Sequence, residues 1–150
     1  MAQQRNNPYP GYNFLVDLGI GDSDSVQAGF SEVELPDINI DIIEYRNGND
    51  KLSTPRKLPG LAHYGNLVLH RGVLGALDLY QWIRQTADGD PNAYRTVRVS
   101  LLNEDRSASV LVWIFQNAFP VQYKFSSLAA QASQVLVETL ELAVGDMRVE

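Results

Sequence analysis

The residues best suited to catalysis or metal binding are few in this sequence and poorly grouped. Its two histidines, His63 and His70, stand seven positions apart, and there is no cysteine. A zinc site built on paired histidines usually has them about three to five residues apart, with further cysteine or histidine ligands. No glycine-rich phosphate-binding motif and no G-x-S-x-G nucleophile motif is present. We therefore expect no catalytic residue, no metal ion and no cofactor.

Two pairs of acidic residues could in principle act as a general acid and a general base. They are Asp22 with Asp24, and Glu32 with Glu34. Paired carboxylates can exchange protons with a substrate when a site holds them in place. With no other catalytic motif in the chain, we interpret both pairs as parts of solvated faces.

Length and composition indicate a single domain over residues 1–150. A chain of 150 residues can build a core without disulfides, because it buries roughly 70% of its unfolded surface. No apolar run approaches the roughly 20 residues that a membrane span requires, and the polar first residues predict no signal peptide. We expect synthesis in a cytoplasm. The net charge of −6 argues against a nucleic-acid-binding outer surface.

Apolar residues alternate with polar ones along much of the chain and predict a mainly β protein. The clearest case is Ile38, Ile40 and Ile42, in a half-buried strand that runs to about Arg46. The C-terminal third fits both a helix and a strand. We interpret it as a turn or short helix followed by a strand over residues 134–144.

One amphipathic helix is predicted at about residues 76–88. Leu79, Tyr80 and Ile83 follow the spacing of one helical face, with polar residues on the opposite face. Glycine and proline follow the segment and end it. We expect this helix to flank one sheet.

Residues 108–116 are predicted to form a strand that is apolar on both faces. Leu111, Trp113 and Phe115 make up one of these faces. Such a strand is either central in a sheet or covered by a neighbouring subunit. We expect these three side chains to take part in a sheet between subunits.

Residues 47–65 are predicted to form a long irregular loop, since three glycines and two prolines interrupt them. Loops longer than about 12–15 residues are uncommon in compact domains and are usually functional. The apolar side chains of this loop have no evident place in the core of one subunit, and we expect them to contact a partner. They are Leu52, Leu58, Leu61 and Tyr64.

Charge is unevenly distributed along the chain. Residues 1–45 hold eight acids and one base, whereas residues 46–71 hold five bases and one acid. We expect bases of the loop to meet acids of a neighbouring copy. The bases are Lys51, Arg56 and Lys57, and the acids are Asp22, Asp24, Glu32 and Glu34. Alternatively, the bases only solvate a loop that docks through Leu58 and Leu61.

Several segments, in order along the chain, resemble the phage tail tube family. Two of the most specific are I-E-Y-R-N-G-N-D at residues 43–50 and T-P-R-K-L-P-G-L at residues 54–61. The others lie at residues 13–16, 28–33, 64–66, 69–73, 82–83, 117–120 and 138–143. The first few residues and the tail after residue 144 have no counterpart in the family pattern.

This resemblance implies a fold and a structural function. Family members form a barrel-like sandwich of two antiparallel sheets with one flanking helix. Six copies make a ring around a lumen, rings stack into the inner tube of a contractile phage tail or injection system, and the loop after the third strand reaches a neighbouring ring. The implied partners are further copies of the chain, a surrounding sheath, baseplate or tube-end and terminator proteins, and luminal protein or DNA cargo. No catalytic residue and no membrane span is implied, and assembly is expected in a bacterial cytoplasm.

Two other interpretations stay open. One is a related role in such machinery, as a tube-end adaptor or the tube of a type VI secretion system. The other is a monomeric β-barrel that binds a small apolar ligand. The sequence does not decide between a phage tail, a bacteriocin and an injection particle.

Overall fold

The computed structural model describes residues 2–20 and 28–150 of the chain. These residues form mainly β-structure with one α-helix, as the alternation of apolar residues predicts. In chain order the elements are β1 (Phe14–Asp17), β2 (Glu32–Glu34), β3 (Ile38–Tyr45), β4 (Arg56–Tyr64), β5 (Leu67–Gly72), α1 (Asp78–Ala87), β6 (Arg95–Leu102), β7 (Ser109–Phe125), β8 (Val137–Ala143) and β9 (Asp146–Val149). Within the described ranges, no helix is long and apolar enough to cross a membrane.

Most strands belong to two antiparallel sheets that share the long strand β7. The strand order is β1, β6, β7, β8, β5, β2, and β9 also pairs with β7. The first part of β7 pairs with β6 and β9, and the last part, from Phe119 to Phe125, pairs with β8. The change of sheet occurs near Asn117, whose φ of 54° lies in the left-handed region that asparagine tolerates better than most residues. Strand β7 is therefore central, which accounts for its two apolar faces.

The two sheets enclose one apolar core. In β5, Leu67 and Leu69 are fully buried, whereas Val68 and His70 between and after them are partly exposed, as expected for a strand with one face inward. The core joins these leucines to buried side chains of both sheets: Val97, Val99, Phe115, Leu140 and Leu142. The sandwich of two antiparallel sheets with one flanking helix is thus confirmed.

Helix α1 covers part of β7 and confirms the predicted helix. Leu79 and Trp82 are its buried residues, whereas Tyr80 is about half exposed. The indole N–H of Trp82 donates a hydrogen bond of 2.7 Å to the carbonyl of Ala93. This bond satisfies the buried indole and fixes the helix to the short turn that precedes β6.

The largest departure from the sequence-based expectation lies in residues 47–65. Residues 46–55 and Gly65 are irregular, and residues 56–64 form strand β4, antiparallel to β3. The expectation of an irregular loop is therefore wrong for residues 56–64. A strand at an edge tolerates Pro59, and Gly60 lies in a bulge where two residues of β4 face one residue of β3. The two strands form a hairpin outside the two main sheets.

Candidate assembly surface

One face of the β3–β4 hairpin is apolar and open to solvent. Ile38, Ile40 and Ile42 are 53%, 58% and 65% exposed, and their spacing places them on the same face. The β4 residues opposite these isoleucines are Tyr64, Ala62 and Pro59. Strand β3 was expected to be half-buried, but every one of its residues is exposed in the single subunit. The half-buried pattern is therefore wrong for the isolated subunit.

The opposite face of the hairpin is mixed. Ile43 faces Leu58 across the two strands, and both are about half exposed. Beside them, the carboxylate of Asp41 lies 2.8 Å from Nε2 of His63. A two-stranded hairpin is at best marginally stable in water without further packing. A ribbon with apolar residues on both faces is therefore suited to packing against a partner.

Side chain to backbone hydrogen bonds hold the tip of the hairpin, residues 46–55. The guanidinium of Arg46 donates to the carbonyls of Leu52 and Asp50, at 3.0 and 3.1 Å. The carboxylate of Asp50 accepts from the backbone N–H of Asn47 at 2.9 Å and lies 3.7 Å from the guanidinium of Arg56. Arg56 therefore has an acidic partner within its own subunit.

Most residues predicted for the contact between rings lie exposed on this hairpin or its tip. They are Lys51, Leu52, Arg56, Lys57, Leu58 and Leu61. Tyr64 differs, because it is half-buried and its hydroxyl donates to the carboxylate of Asp146 at 3.0 Å. This hydrogen bond raises the pKa of Tyr64. Tyr64 thus joins the base of the hairpin to β9.

The predicted acidic counterparts are only partly described. Asp22 and Asp24 lie outside the described residues. Glu32 and Glu34 are exposed on β2, and within one subunit Glu34 pairs with His70. Their contact with bases of a neighbouring copy stays a prediction.

The three residues predicted for a sheet between subunits have different environments. Phe115 is 0% exposed within its own subunit, so the prediction is wrong for this residue. Its inward position follows from the pairing of β7 with β6, which puts Phe115 opposite the buried Val97. Leu111 and Trp113 are partly buried, and Trp113 lines an open, mostly apolar cavity of about 250 Å³ with Phe14 and Leu101 among others. Their role between subunits stays a prediction.

A buried ionic cluster beneath α1 was not anticipated from the sequence. Arg71 on β5 and Glu138 on β8 are 0% and 1% exposed, with a hydrogen bond of 2.7 Å from Nε to Oε1. The same guanidinium donates to Asp78 in the first turn of α1, and the hydroxyl of Tyr123 donates to Glu138. Burial disfavours the charge of Arg71, but the bonds to Asp78 and Glu138 outweigh this and raise its pKa. Burial and the bond to Glu138 also raise the pKa of Tyr123. The cluster connects helix α1 to strands β5 and β8.

The described residues contain one group with the donor atoms and proximity of a metal site. It consists of Glu32, Glu34 and His70, whose ligand atoms all lie within 4.8 Å of one another. Sequence reasoning treated the acids and the histidine separately, because 36 positions separate Glu34 from His70. The pairing of β2 with β5 brings them together. The only local signal was the order Glu–Val–Glu, which predicts two carboxylates on one face of a strand.

Solved structures of contractile injection systems contain chains similar to this one. A chain in the sheath–tube complex of an extracellular contractile injection system, PVC, in its extended state is 27% identical, with a TM-score of 0.80 over 95% of this chain and 91% of that chain. A chain in the baseplate of the anti-feeding prophage is also 27% identical, with a TM-score of 0.79 over 97% of both chains. A chain in the tube-terminating cap of the same particle is 28% identical, with a TM-score of 0.78 over 100% of this chain and 95% of that chain.

A more distant similarity concerns the fold alone. Hcp1 from Flavobacterium johnsoniae is 15% identical, with a TM-score of 0.54 over 91% of this chain and 93% of that chain. No curated protein sequence matches the chain at a significant level. Residues 10–148 match the family described as T4-like virus tail tube protein gp19, which covers nearly the whole sequence. The chain therefore belongs to the T4-like tail tube protein family.

Proposed function

We propose that this chain is the structural subunit of the inner tube of a contractile injection system or phage tail. In this function six copies form a ring around a lumen, and rings stack into a tube. The observation that carries the proposal is the β3–β4 hairpin, whose three isoleucines are each more than half exposed in the single subunit. Burial of apolar surface is the main driving force of most protein association, and neighbouring copies supply the cover that the subunit lacks.

The ends of the strand order support assembly through further copies. β1 and β2 lie at the two ends, and each has a hydrogen-bonded neighbour on one side within the subunit. Exposed strand edges are templates for pairing with another chain. A ring of subunits covers such edges, and a head-to-tail contact that does not close on itself extends rings into a filament.

The similar chains suggest the surroundings of this tube. They come from structures described as a sheath–tube complex, a baseplate and a tube-terminating cap. We infer that this chain meets a sheath around the tube, baseplate proteins at one end and a terminator at the other, with protein or DNA cargo in the lumen. It would be assembled in a bacterial cytoplasm and act without catalysis.

Mass measurement and electron microscopy of the purified protein test this function. The untagged full chain, concentrated from micromolar to millimolar, should form rings of about 100 kDa, which is six times the subunit mass of 16.7 kDa, and then tubes. A strictly monomeric species across this range would refute the proposal and favour a ligand-binding β domain. Rings that never extend unless a second protein is added would indicate a tube-end adaptor instead.

A further inference from the structure

Two carboxylates and an imidazole converge on the outer face of the sheet that contains β2, β5 and β8. Val33 on β2 packs against the core, so its neighbours Glu32 and Glu34 both point to the outside. Glu32 pairs directly with His70 on β5, and residues opposite each other on antiparallel strands share a face. Nε2 of His70 lies 3.0 Å from a carboxylate oxygen of Glu34. All three side chains thus come from two hydrogen-bonded strands rather than from a loop.

The spacing of these atoms suits a small metal ion. Around a tetrahedral zinc ion with bonds of about 2.0–2.2 Å, neighbouring ligand atoms lie about 3.3–3.5 Å apart. The contact between His70 and Glu34 is slightly shorter than this, and all the ligand atoms of the group lie within 4.8 Å of one another. Both glutamate side chains are exposed, so we expect their rotation to bring the ligand atoms to the required spacing.

The second ring nitrogen of His70 already has a partner that fixes the imidazole plane. Nδ1 lies 2.9 Å from the hydroxyl of Thr139 on β8. Histidines that bind metals usually have their other nitrogen hydrogen-bonded in this way, which holds the ring orientation. Ser31, next to Glu32, donates both its backbone N–H and its hydroxyl to the carbonyl of His70, at 2.8 and 3.2 Å. These bonds hold the start of β2 on β5.

We propose that Glu32, Glu34 and His70 bind one divalent transition-metal ion, of which Zn²⁺ is the best fit. An imidazole nitrogen with two carboxylates is a donor set that zinc accepts, and water completes the coordination. Mg²⁺ and Ca²⁺ prefer oxygen ligands alone and gain little from His70. All three ligands belong to one subunit, so zinc binding does not require assembly.

Zinc titration of the untagged, unassembled full chain tests the site. Calorimetry or competition with a chromophoric chelator should give one Zn²⁺ per subunit, and excess Mg²⁺ should not displace it. Removal of an outer hydrogen-bond partner typically lowers metal affinity by about 10–100-fold, so Thr139→Val should fall in this range. His70→Ala, which removes a ligand, should lower the affinity by more than about 100-fold.

Two matched variants serve as controls. His63→Ala removes the other histidine, which has a single carboxylate beside it, and Glu141→Gln removes a neighbouring carboxylate from β8. Both should keep the wild-type stoichiometry and affinity. In addition, zinc should shift the imidazole NMR signals of His70 and leave those of His63 in place.

The outcomes separate the site from nonspecific binding. Glu34→Gln changes an exposed side chain on an edge strand and should lose zinc binding. An unchanged circular dichroism spectrum would show that this loss does not come from misfolding. Equal binding by wild type and His70→Ala, or several equivalent sites shared with His63, would overturn the proposal. So would a failure of the wild-type chain to bind zinc. Zinc binding is measured on the unassembled chain, so failure of this site would leave the proposed function to the mass measurement.

Discussion

Removal of the apolar character of the hairpin should abolish assembly while leaving the subunit folded. The change is the double substitution Ile40→Thr with Ile42→Thr. Threonine keeps the β-branched shape that suits a strand but replaces a hydrocarbon group by a hydroxyl. Because both isoleucines are more than half exposed in the subunit, they contribute little to its own core. The loss should therefore appear almost entirely in the contact between subunits.

The size of the loss follows from the exposed area. Complete burial of an isoleucine side chain is worth about 1.5–3 kcal/mol. With 58% and 65% of Ile40 and Ile42 exposed, burial by a neighbour is worth about 1–2 kcal/mol for each, or about 2–4 kcal/mol per subunit. A ring of six would lose up to about 12–24 kcal/mol, since threonine keeps one methyl group of each side chain. Six exposed ion pairs, at about 0.2–1 kcal/mol each, would contribute only about 1–6 kcal/mol. We therefore expect the apolar face to contribute more to the contact than the ion pairs do.

Sedimentation velocity and electron microscopy at one protein concentration provide the assay. The wild type should form rings and tubes, and the double variant should remain a folded monomer with an unchanged circular dichroism spectrum. The matched control is Asn39→Thr, which alters a neighbouring exposed position on the other face of β3 and should assemble like the wild type. Tubes of wild-type length and stability from the double variant would refute the reasoning.

Three further predictions concern the buried cluster, alkaline pH and the charged tip. Glu138→Gln leaves the buried guanidinium of Arg71 with one carboxylate fewer, which should lower the free energy of unfolding by about 3–5 kcal/mol. In calorimetry of the unassembled chain, Tm should fall by about 6–20 °C, whereas the exposed Glu104→Gln should barely change it. Equal Tm values for the two variants would contradict this prediction. Tyrosine ionises near pH 10 when unfolded, and burial and the bond to Glu138 raise the pKa of Tyr123 in the folded state, so the stabilisation is complete below about pH 10 and is lost as pH rises further. Urea titrations of wild type and Tyr123→Phe between pH 8 and 11 should show a weaker alkaline loss in the variant, and parallel curves would contradict this assignment. Arg56→Glu with Lys57→Glu should shorten tubes in about 0.1 M salt and have less effect in about 1 M salt, because the Debye length falls from about 10 Å to about 3 Å. Tubes as long as those of the wild type at both salt concentrations would show that the apolar contact acts alone.

Local patterns in the sequence predicted several of the strands and the helix. The period of two predicts β3 and the first part of β7, and the helical spacing predicts α1, whereas the segment of β8 fitted a helix as well as a strand. Strand β4 was missed, since Pro59 and Gly60 usually interrupt strands. They are compatible with this one because it lies at an edge and contains a bulge.

The pairing of distant segments could not be read from one sequence. The partners Arg71 and Glu138 are 67 positions apart, and each alone looks like an ordinary surface residue. Phe115 was assigned to a subunit contact because both faces of β7 are apolar, and only the strand order shows that its face points into the core. By contrast, the exposure of Leu52, Leu58 and Leu61 was predicted, because the sequence offers these apolar residues no place in the core of one subunit.

Amide hydrogen exchange of β3 and β4, measured in dissociated subunits and in assembled tubes, tests the central claim most directly. The claim is that neighbouring copies cover this hairpin. The amides of β3 and β4 should exchange quickly in the subunit, because few buried contacts hold these two strands. In tubes they should exchange at least about tenfold more slowly. Amides of the core strand β5 should be protected in both states. Equal exchange of β3 and β4 in the two states would contradict the account, since the hairpin would then be no part of the contact that builds the tube.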